Sequence, residues 1–279
     1  MNDRLRSRDR VARAVLYVLL IGGLLLVVGP FAWMLLSSFK PEGEIRADPP
    51  TWLPNDPTFA NYGNLFDRLD FPTFFTNSAV VAVLTTVGNL LFCSAAGYAL
   101  AKLPFAGRKI LFAIVLGTLM VPSIVTMVPL FVLSSNLGLV NTLAGLILPY
   151  LAQAFGVFLM RQFILSIPND LLEAARIDAA SELRIFWQIV LPMSRPILAT
   201  LAVMRAIGFW DEWLWPMITV LEWDVRPVAL QVFYLQGNVG GHVGYQMAGY
   251  VISSLPLVIL FALASKQFVR GLTSGAIRL

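Results

Sequence analysis

Charge is what this 279-residue chain has least of: Asp, Glu, Lys and Arg together make up 13%. A soluble domain carries about 25%, so an ordinary water-soluble globule is excluded. Cys93 is the only cysteine and lies in an apolar run, which excludes a disulfide framework. His242 is the only histidine, so no histidine-based metal site can be assembled within one chain. The apolar runs lack the polar–apolar alternation of barrel strands. The glycine-rich stretch GNVGGHVG (237–244) lacks the Lys-Ser/Thr of a phosphate-binding loop and, on this reading, a helix start behind it. No internal repeat is evident and no carboxylate is placed at mid-membrane, which disfavours an ion-coupled secondary transporter.

What the chain has in quantity is apolar sequence, 58% of it. Several runs reach the roughly 20 residues a helix needs to cross a bilayer. Backbone polar groups must be satisfied inside lipid, so these runs are expected to be helices. The expected fold is an all-α membrane protein, a single transmembrane domain over 1–279, with six spans near 15–36, 78–101, 110–133, 142–164, 197–220 and 245–265. The run over 14–39 is too long for a signal peptide and is read as a retained first span. Small residues in the second span (Ala95, Ala96, Gly97) suggest close helix packing.

The basic residues are sorted by side. Arg4, Arg6, Arg8, Arg10, Arg13, Lys102, Arg108, Lys109, Arg161, Arg176, Arg184, Arg195, Lys266, Arg270 and Arg278 fall on one face of the six-span arrangement. Lys40, Arg46, Arg68 and Arg226 fall on the other, and Arg205 lies inside a span. This asymmetry places both termini in the cytoplasm. The net charge of +4 then reflects loops beside membrane lipid and calls for no nucleic-acid partner. The Pro-rich loop over 37–76 is expected outside, ordered but irregular.

The longest cytoplasmic loop, 165–195, breaks the apolar pattern with EAARIDAASELRIFWQIVLP (173–192). Asp170 and Glu173 form a D-x-x-E capping pattern after Pro168. Leu171, Ala174, Ala175 and Asp178 share one helical face. A second start signal at Ser181 leads into Leu183, Phe186, Trp187 and Val190 at helical spacing, ended by Pro192 and Pro196. Two short helices with a bend over 178–181 are predicted. The small-residue face suits insertion into a groove of a soluble partner; spacing alone leaves open a connector lying on the membrane.

EAARIDAAS followed by Phe186, Ile189, Leu191 and Pro192 resembles the EAA signature of permease subunits of ABC importers. PFAWMLLSSFKPEGEI, PPTWLPNDPTFANY, GYALAKLPFAGRK, FWDEWLWP and FVRGLTSGAIRL resemble the carbohydrate-importer branch, most closely the smaller permease subunit of the maltose type. The resemblance implies a type I ABC importer permease fold in a bacterial inner membrane. It implies a homologous second permease, a cytoplasmic ATPase dimer and an extracytoplasmic solute-binding protein. ATP and Mg would sit on the ATPase subunits, with no cofactor and no catalysis in this chain. Glu173 would make the polar contact with the ATPase, Ala174 and Ala175 would allow close approach, and Asp178 would help set the turn. The family's glycine falls on Ala179. A non-glycine residue with left-handed φ costs about 1–2 kcal/mol, so Ala179 is expected to keep right-handed φ while the turn adjusts nearby. The cargo expected is a di- or oligosaccharide; a glycerol phosphodiester or polyol is the alternative, and a non-transporting scaffold a more distant one.

A path for the solute is suggested by the fifth span. Arg205 lies nine residues past Pro196, about 13 Å into the membrane at 1.5 Å per residue. A charge that deep should face protein or water. Arg205, Gly208 and Glu212 are spaced to share one face, either lining the path or holding spans together as an ion pair. Asn89 and Gln153, polar groups inside spans, either line the path or hydrogen-bond between helices. Trp210, Trp213 and Trp215 are expected in the interfacial belt, or against sugar rings.

Overall fold

The fold is given by a computed structural model. It describes residues 2–238 and 242–274, with side chains placed over 13–67, 69–235 and 242–263. Among the described residues there is no strand. In chain order the helices are α1 (Asn2–Ser37), α2 (Glu42–Ile45), α3 (Ala60–Arg68), α4 (Phe71–Lys102), α5 (Arg108–Thr118), α6 (Ser123–Asn136), α7 (Leu143–Ile147), α8 (Ala154–Leu165), α9 (Asn169–Ile177), α10 (Glu182–Ile185), α11 (Leu191–Met193), α12 (Arg195–Trp210), α13 (Leu214–Thr219), α14 (Val228–Asn238) and α15 (Val243–Ser274). The start of α15 at Val243 corrects the expectation that no helix follows the glycine-rich stretch.

Among the described residues, three helical stretches are long and apolar enough to cross a membrane: Arg13–Ser37, Phe71–Lys102 and Val243–Leu263. Three further helix pairs meet the same criterion only together, and each is bent at its break. The run expected as a third span over 110–133 is not one helix: α5 and α6 meet at 103°. Pro122 precedes α6, and its ring and missing N–H cannot continue the helix from α5. The run over 142–164 bends by 42° between the α7 segment, extended to Tyr150, and α8. The third bent pair joins the segment Glu182–Met193 to α12 at 78°; the run expected as a span over 197–220 is divided as well, since α12 stops at Trp210 and α13 begins at Leu214.

The chain divides into two compact units. One comprises residues 1–70 and 235–254. Its Pro-rich segment is held by polar latches. Lys40, only 1% exposed, donates to the Thr51 carbonyl and to Thr51 Oγ1 (3.2 Å) and lies 4.8 Å from the Trp33 ring centre. Asn61 Nδ2 donates to the carbonyls of Ser38 (2.9 Å) and Lys40 (2.8 Å). Glu44 Oε1 accepts from Thr51 Oγ1 and the Asn55 N–H, both at 2.9 Å. Backbone groups that proline leaves without helical partners are thus satisfied by side chains.

The other unit comprises residues 71–234 and 255–279. Its core forms where α4 meets α8 and α12. Glycines permit the approach: a Cβ on Gly97 would lie 2.8 Å from Met160 Cβ and 2.9 Å from the Arg161 nitrogen. A Cβ on Gly156 would lie 2.6 Å from Cys93 Sγ. Cys93, Tyr98, Val157, Met160, Ile164 and Leu201 fill this interface, and Leu172, Ile185, Phe186 and Val190 extend it into the charged loop. The loop is therefore anchored to the spans by its own apolar residues.

Candidate functional site

The charged segment folds as two short helices, α9 and α10, followed by a π-helical turn Phe186–Val190. The residue before α9 is Pro168, with no side-chain cap. The expected D-x-x-E cap is therefore not formed: Asp170 sits inside the first turn, where its charge favours the helix dipole. The chain entering this end is tied down from α4. Lys102 Nζ donates to the Ile167 carbonyl (2.6 Å) and to Asn169 Oδ1 (2.7 Å).

At the other end of α9 the expectation for Ala179 is overturned. Its φ is +58°, in the left-handed region. The reason lies in the backbone. The Ala180 N–H donates to the Ala175 carbonyl and the Ala179 N–H to the Arg176 carbonyl, both at 3.0 Å. This nested pair closes a Schellman motif, which requires a left-handed residue at the position of Ala179. Two helix-end hydrogen bonds, each contributing about 1 kcal/mol net, offset strain of about 1–2 kcal/mol. The chain then reverses into Ser181, whose Oγ accepts from the Arg184 N–H at 3.3 Å and caps α10.

The turn is also tied by charge. Arg176 Nε donates to Glu182 Oε1 (2.7 Å) and an Arg176 Nη to Glu182 Oε2 (3.4 Å). The Tyr98 hydroxyl donates to the same Oε2. The Arg176 guanidinium and the Tyr98 hydroxyl hold the Glu182 carboxyl below its ordinary value, and the Glu182 carboxylate raises Arg176. Two groups of opposite charge thus fix a bend of four residues.

This leaves one face of α9 open. Leu172 is 1% exposed in the core and Ala175 is half-buried against it. Glu173, Ala174, Ile177, Asp178 and Ala179 are exposed, with Ile177 at 85%. The face predicted from spacing included Ala175; the helix is rotated so that Ala175 packs inward. The open side carries one carboxylate, small residues and an apolar tip, held on a rigid base.

The six residues proposed for a solute path separate into two groups. Asn89, Gln153 and Arg205 gather at the break ahead of α8. Asn89 is fully buried; its Nδ2 donates to the Tyr150 carbonyl at 2.9 Å, so its amide links α4 to the bent segment. The Gln153 carbonyl accepts from Cys93 Sγ at 3.5 Å. Arg205 lies 5.8 Å from the Phe155 ring centre, and its buried Nε has no hydrogen-bond partner among the described residues. Gly208, one turn further along α12, is exposed and a Cβ there would meet nothing within 4 Å.

Glu212 and Trp210 belong elsewhere. α12 ends at Trp210, so the i, i+7 spacing from Arg205 to Glu212 does not put them on one helical face. Glu212 Oε1 instead accepts from the Leu214 (3.0 Å) and Trp215 (3.2 Å) N–H groups at the start of α13. Arg205 and Glu212 form no ion pair. Trp210 is buried edge-on to Phe75, with ring centres 5.0 Å apart. Trp215 is 1% exposed and its Nε1 donates to the Gly145 carbonyl at 3.0 Å. These two indoles are core residues and not a belt; only Trp213, stacked on Phe233 at 4.3 Å, retains an exposed edge. Sequence reasoning missed Tyr98 and Lys102, although two polar residues four apart near the end of an otherwise apolar run are a readable signal.

Residues 93–274 match the family described as binding-protein-dependent transport system inner membrane component. The chain is 35% identical over 256 residues to the arabinooligosaccharides transport system permease protein AraQ of Halalkalibacterium halodurans, covering 91% of this chain and 92% of that one. It is 33% identical to the diacetylchitobiose uptake system permease protein NgcG of Streptomyces coelicolor, covering 98% of this chain and 91% of the relative. Among solved structures, a chain of a bacterial ABC transporter involved in the import of the acidic polysaccharide alginate superposes with a TM-score of 0.86 at 26% identity. The superposition covers 93% of this chain and 97% of that one.

Proposed function

Because this chain belongs to the binding-protein-dependent transport system inner membrane component family, we propose that it is one of two permease subunits of an ATP-driven importer that carries a di- or oligosaccharide across a bacterial inner membrane. Six spans, with each of the first two bent pairs counting as one and the third crossing through its α12 part, put both termini and the α9–α10 segment in the cytoplasm. The Lys and Arg asymmetry supports this orientation. A homologous second permease, a cytoplasmic ATPase dimer that holds ATP and Mg, and an extracytoplasmic solute-binding protein complete the machine. The permease relatives named for arabinooligosaccharides and diacetylchitobiose support the carbohydrate class.

The observation that carries the reading is the open face of α9. Glu173 and Ala174 stand exposed beside a turn closed by the Ala179 backbone and by Arg176–Glu182. A groove on an ATPase would seat the small side chains closely and meet the Glu173 carboxylate with a donor. Closure of the ATPase dimer then displaces a segment packed on the spans through Leu172, Ile185 and Phe186. The spans rock between inward-open and outward-open states, each ligand shifting the balance by its differential affinity.

Arg205, Gly208, Gln153 and Asn89 mark the wall along which we place the solute, with Trp210 and Glu212 shaping the support behind it. A guanidinium nitrogen buried without an acceptor costs about 1–3 kcal/mol or more. An acceptor from outside this chain, a solute hydroxyl or the second permease, would remove that cost. Arg205→Ala in the assembled transporter is expected to lower uptake with co-purification of all subunits intact; unchanged uptake removes Arg205 from the path.

The overall reading is tested by reconstituting the four-part complex with its binding protein. The binding protein is first titrated with arabinotriose, chitobiose, lactose and glycerophosphocholine. Saccharide-loaded binding protein should stimulate ATP hydrolysis and drive uptake. Uptake that persists with an ATPase lacking its catalytic carboxylate refutes an ATP-driven importer, and binding of glycerophosphocholine alone refutes the saccharide class.

A further inference from the structure

Two side chains of α4 reach the two ends of α9. Tyr98 and Lys102 are four residues apart and so lie on one face of their helix. Lys102 holds the N-terminal end: its ammonium donates to the Ile167 carbonyl (2.6 Å), to Asn169 Oδ1 (2.7 Å) and, more weakly, to the Leu165 carbonyl (3.5 Å). Tyr98 holds the C-terminal end through Glu182, whose carboxylate is shared between the phenol and Arg176. Tyr98 is 4% exposed, and its ring lies 5.8 Å from that of Phe186. It therefore grips the segment through both a charged and an apolar contact.

The geometry has a mechanical consequence. One attachment point would leave α9 free to pivot on its apolar base. Two attachments at opposite ends, made from one rigid helix, remove that freedom. The hydrogen bonds are of the stronger kind, since each involves an ammonium or a carboxylate. Arg161 adds a tie alongside, its Nε donating to the Leu100 carbonyl at 3.2 Å, so α8 is fastened to the same end of α4.

We infer that Tyr98 and Lys102 are positioning residues forming a two-point clamp that makes α9 and α4 move as one body, so that a push on the open face of α9 becomes displacement of the α4 span. The inference rests on the coupling role proposed above for α9. Neither residue touches the ATPase face or the solute wall; both act through the residues they hold.

The test uses the full transporter complex in lipid nanodiscs with Cys93→Ala, which removes this chain's single thiol, and with the partner subunits freed of reactive cysteines. One spin-label pair, at Leu91→Cys and Asp170→Cys, reads the distance between α4 and α9. A second, at Leu91→Cys and Val258→Cys, reads the displacement of α4 against α15. Leu91, Asp170 and Val258 are all exposed. With the clamp intact, Mg-ATP shifts the second pair and leaves the first unchanged. In Tyr98→Phe/Lys102→Met, Mg-ATP shifts the first pair and the second no longer responds. Lys102→Arg, which keeps donors at that position, restores much of the second response in the Tyr98→Phe background. Glu182→Gln should reproduce the effect of Tyr98→Phe, guarding against a folding defect in either variant.

The clamp is overturned if the first pair shifts with Mg-ATP in the unmodified clamp, or if in the double variant the second pair still shifts and the first still does not. Failure of the coupling reading looks different. Mg-ATP would then move neither pair with the clamp intact, and the transmitting role of the clamp would fall with it.

Discussion

Ala179 is the residue under most strain in the coupling turn, and glycine is its natural replacement. Ala179→Gly relieves about 1–2 kcal/mol of left-handed strain but frees the unfolded chain, a loss of about 0.4–1 kcal/mol. The net expectation is a gain of up to about 1.6 kcal/mol, seen as a raised unfolding midpoint of the purified subunit. Ala179→Val, with a branched Cβ in the same conformation, should lower the midpoint by more than glycine raises it. Equal midpoints for all three would mean that Ala179 is not left-handed in solution. Glu182 offers a pH test with a definite sign. Its folded value lies below the ordinary 4.5, so its stabilising contribution is complete above that pH and is lost as pH falls through the folded value. The midpoint difference between wild type and Glu182→Gln should be present at neutral pH and vanish as acidification protonates the Glu182 carboxyl; a difference that grows in acid would contradict the bridge.

Among the elements, α4 is central because α8, α9 and α12 all depend on its surface. Gly97→Leu would drive a side chain into Met160 and the backbone at Arg161, at a cost of roughly 1–3 kcal/mol or more. Leu172→Ala would empty a fully buried site under the coupling helix at about 2–5 kcal/mol. Thermal unfolding in detergent reads both, and a variant as stable as wild type would refute the packing described. The signals that sequence carries well are the ones tied to local chemistry. Pro168 and Ser181 marked the helix starts of the charged loop, and small residues marked where α4 meets a neighbour; Pro192, expected to end the second helical run, instead lies inside α11, and the run continues to Met193. The breaks were harder to read. Across 119–122 the chain remains apolar, because lipid and protein surroundings ask the same of helix and of break, so hydropathy carries straight over a 103° bend. Pro122 was the available cue. The spacing of Arg205 and Glu212 misled for the same reason: the i, i+7 rule presumes a helix that has already ended at Trp210. Burial of Asn89 and Trp215 depends on partners some 60 to 70 residues distant in sequence, which no local pattern contains.

At the scale of the whole molecule, an orientation in the membrane is linked to a direction of force. Orientation is open to thiol chemistry because the one native cysteine is buried and removable. In a Cys93→Ala background, Asn55→Cys should react with a membrane-impermeant maleimide in intact cells, and Asp170→Cys only after the membrane is opened. The reverse pattern would invert the topology. The direction of force requires the open side of α9 to touch the ATPase. A photo-crosslinking amino acid placed at Ala174 in the assembled transporter tests this most directly, with Asn55 as the control position. An adduct with the ATPase subunit is expected from Ala174 and none from Asn55, as docking through the open face of α9 requires. No adduct from Ala174 in an otherwise active complex, or an ATPase adduct from Asn55, would contradict it.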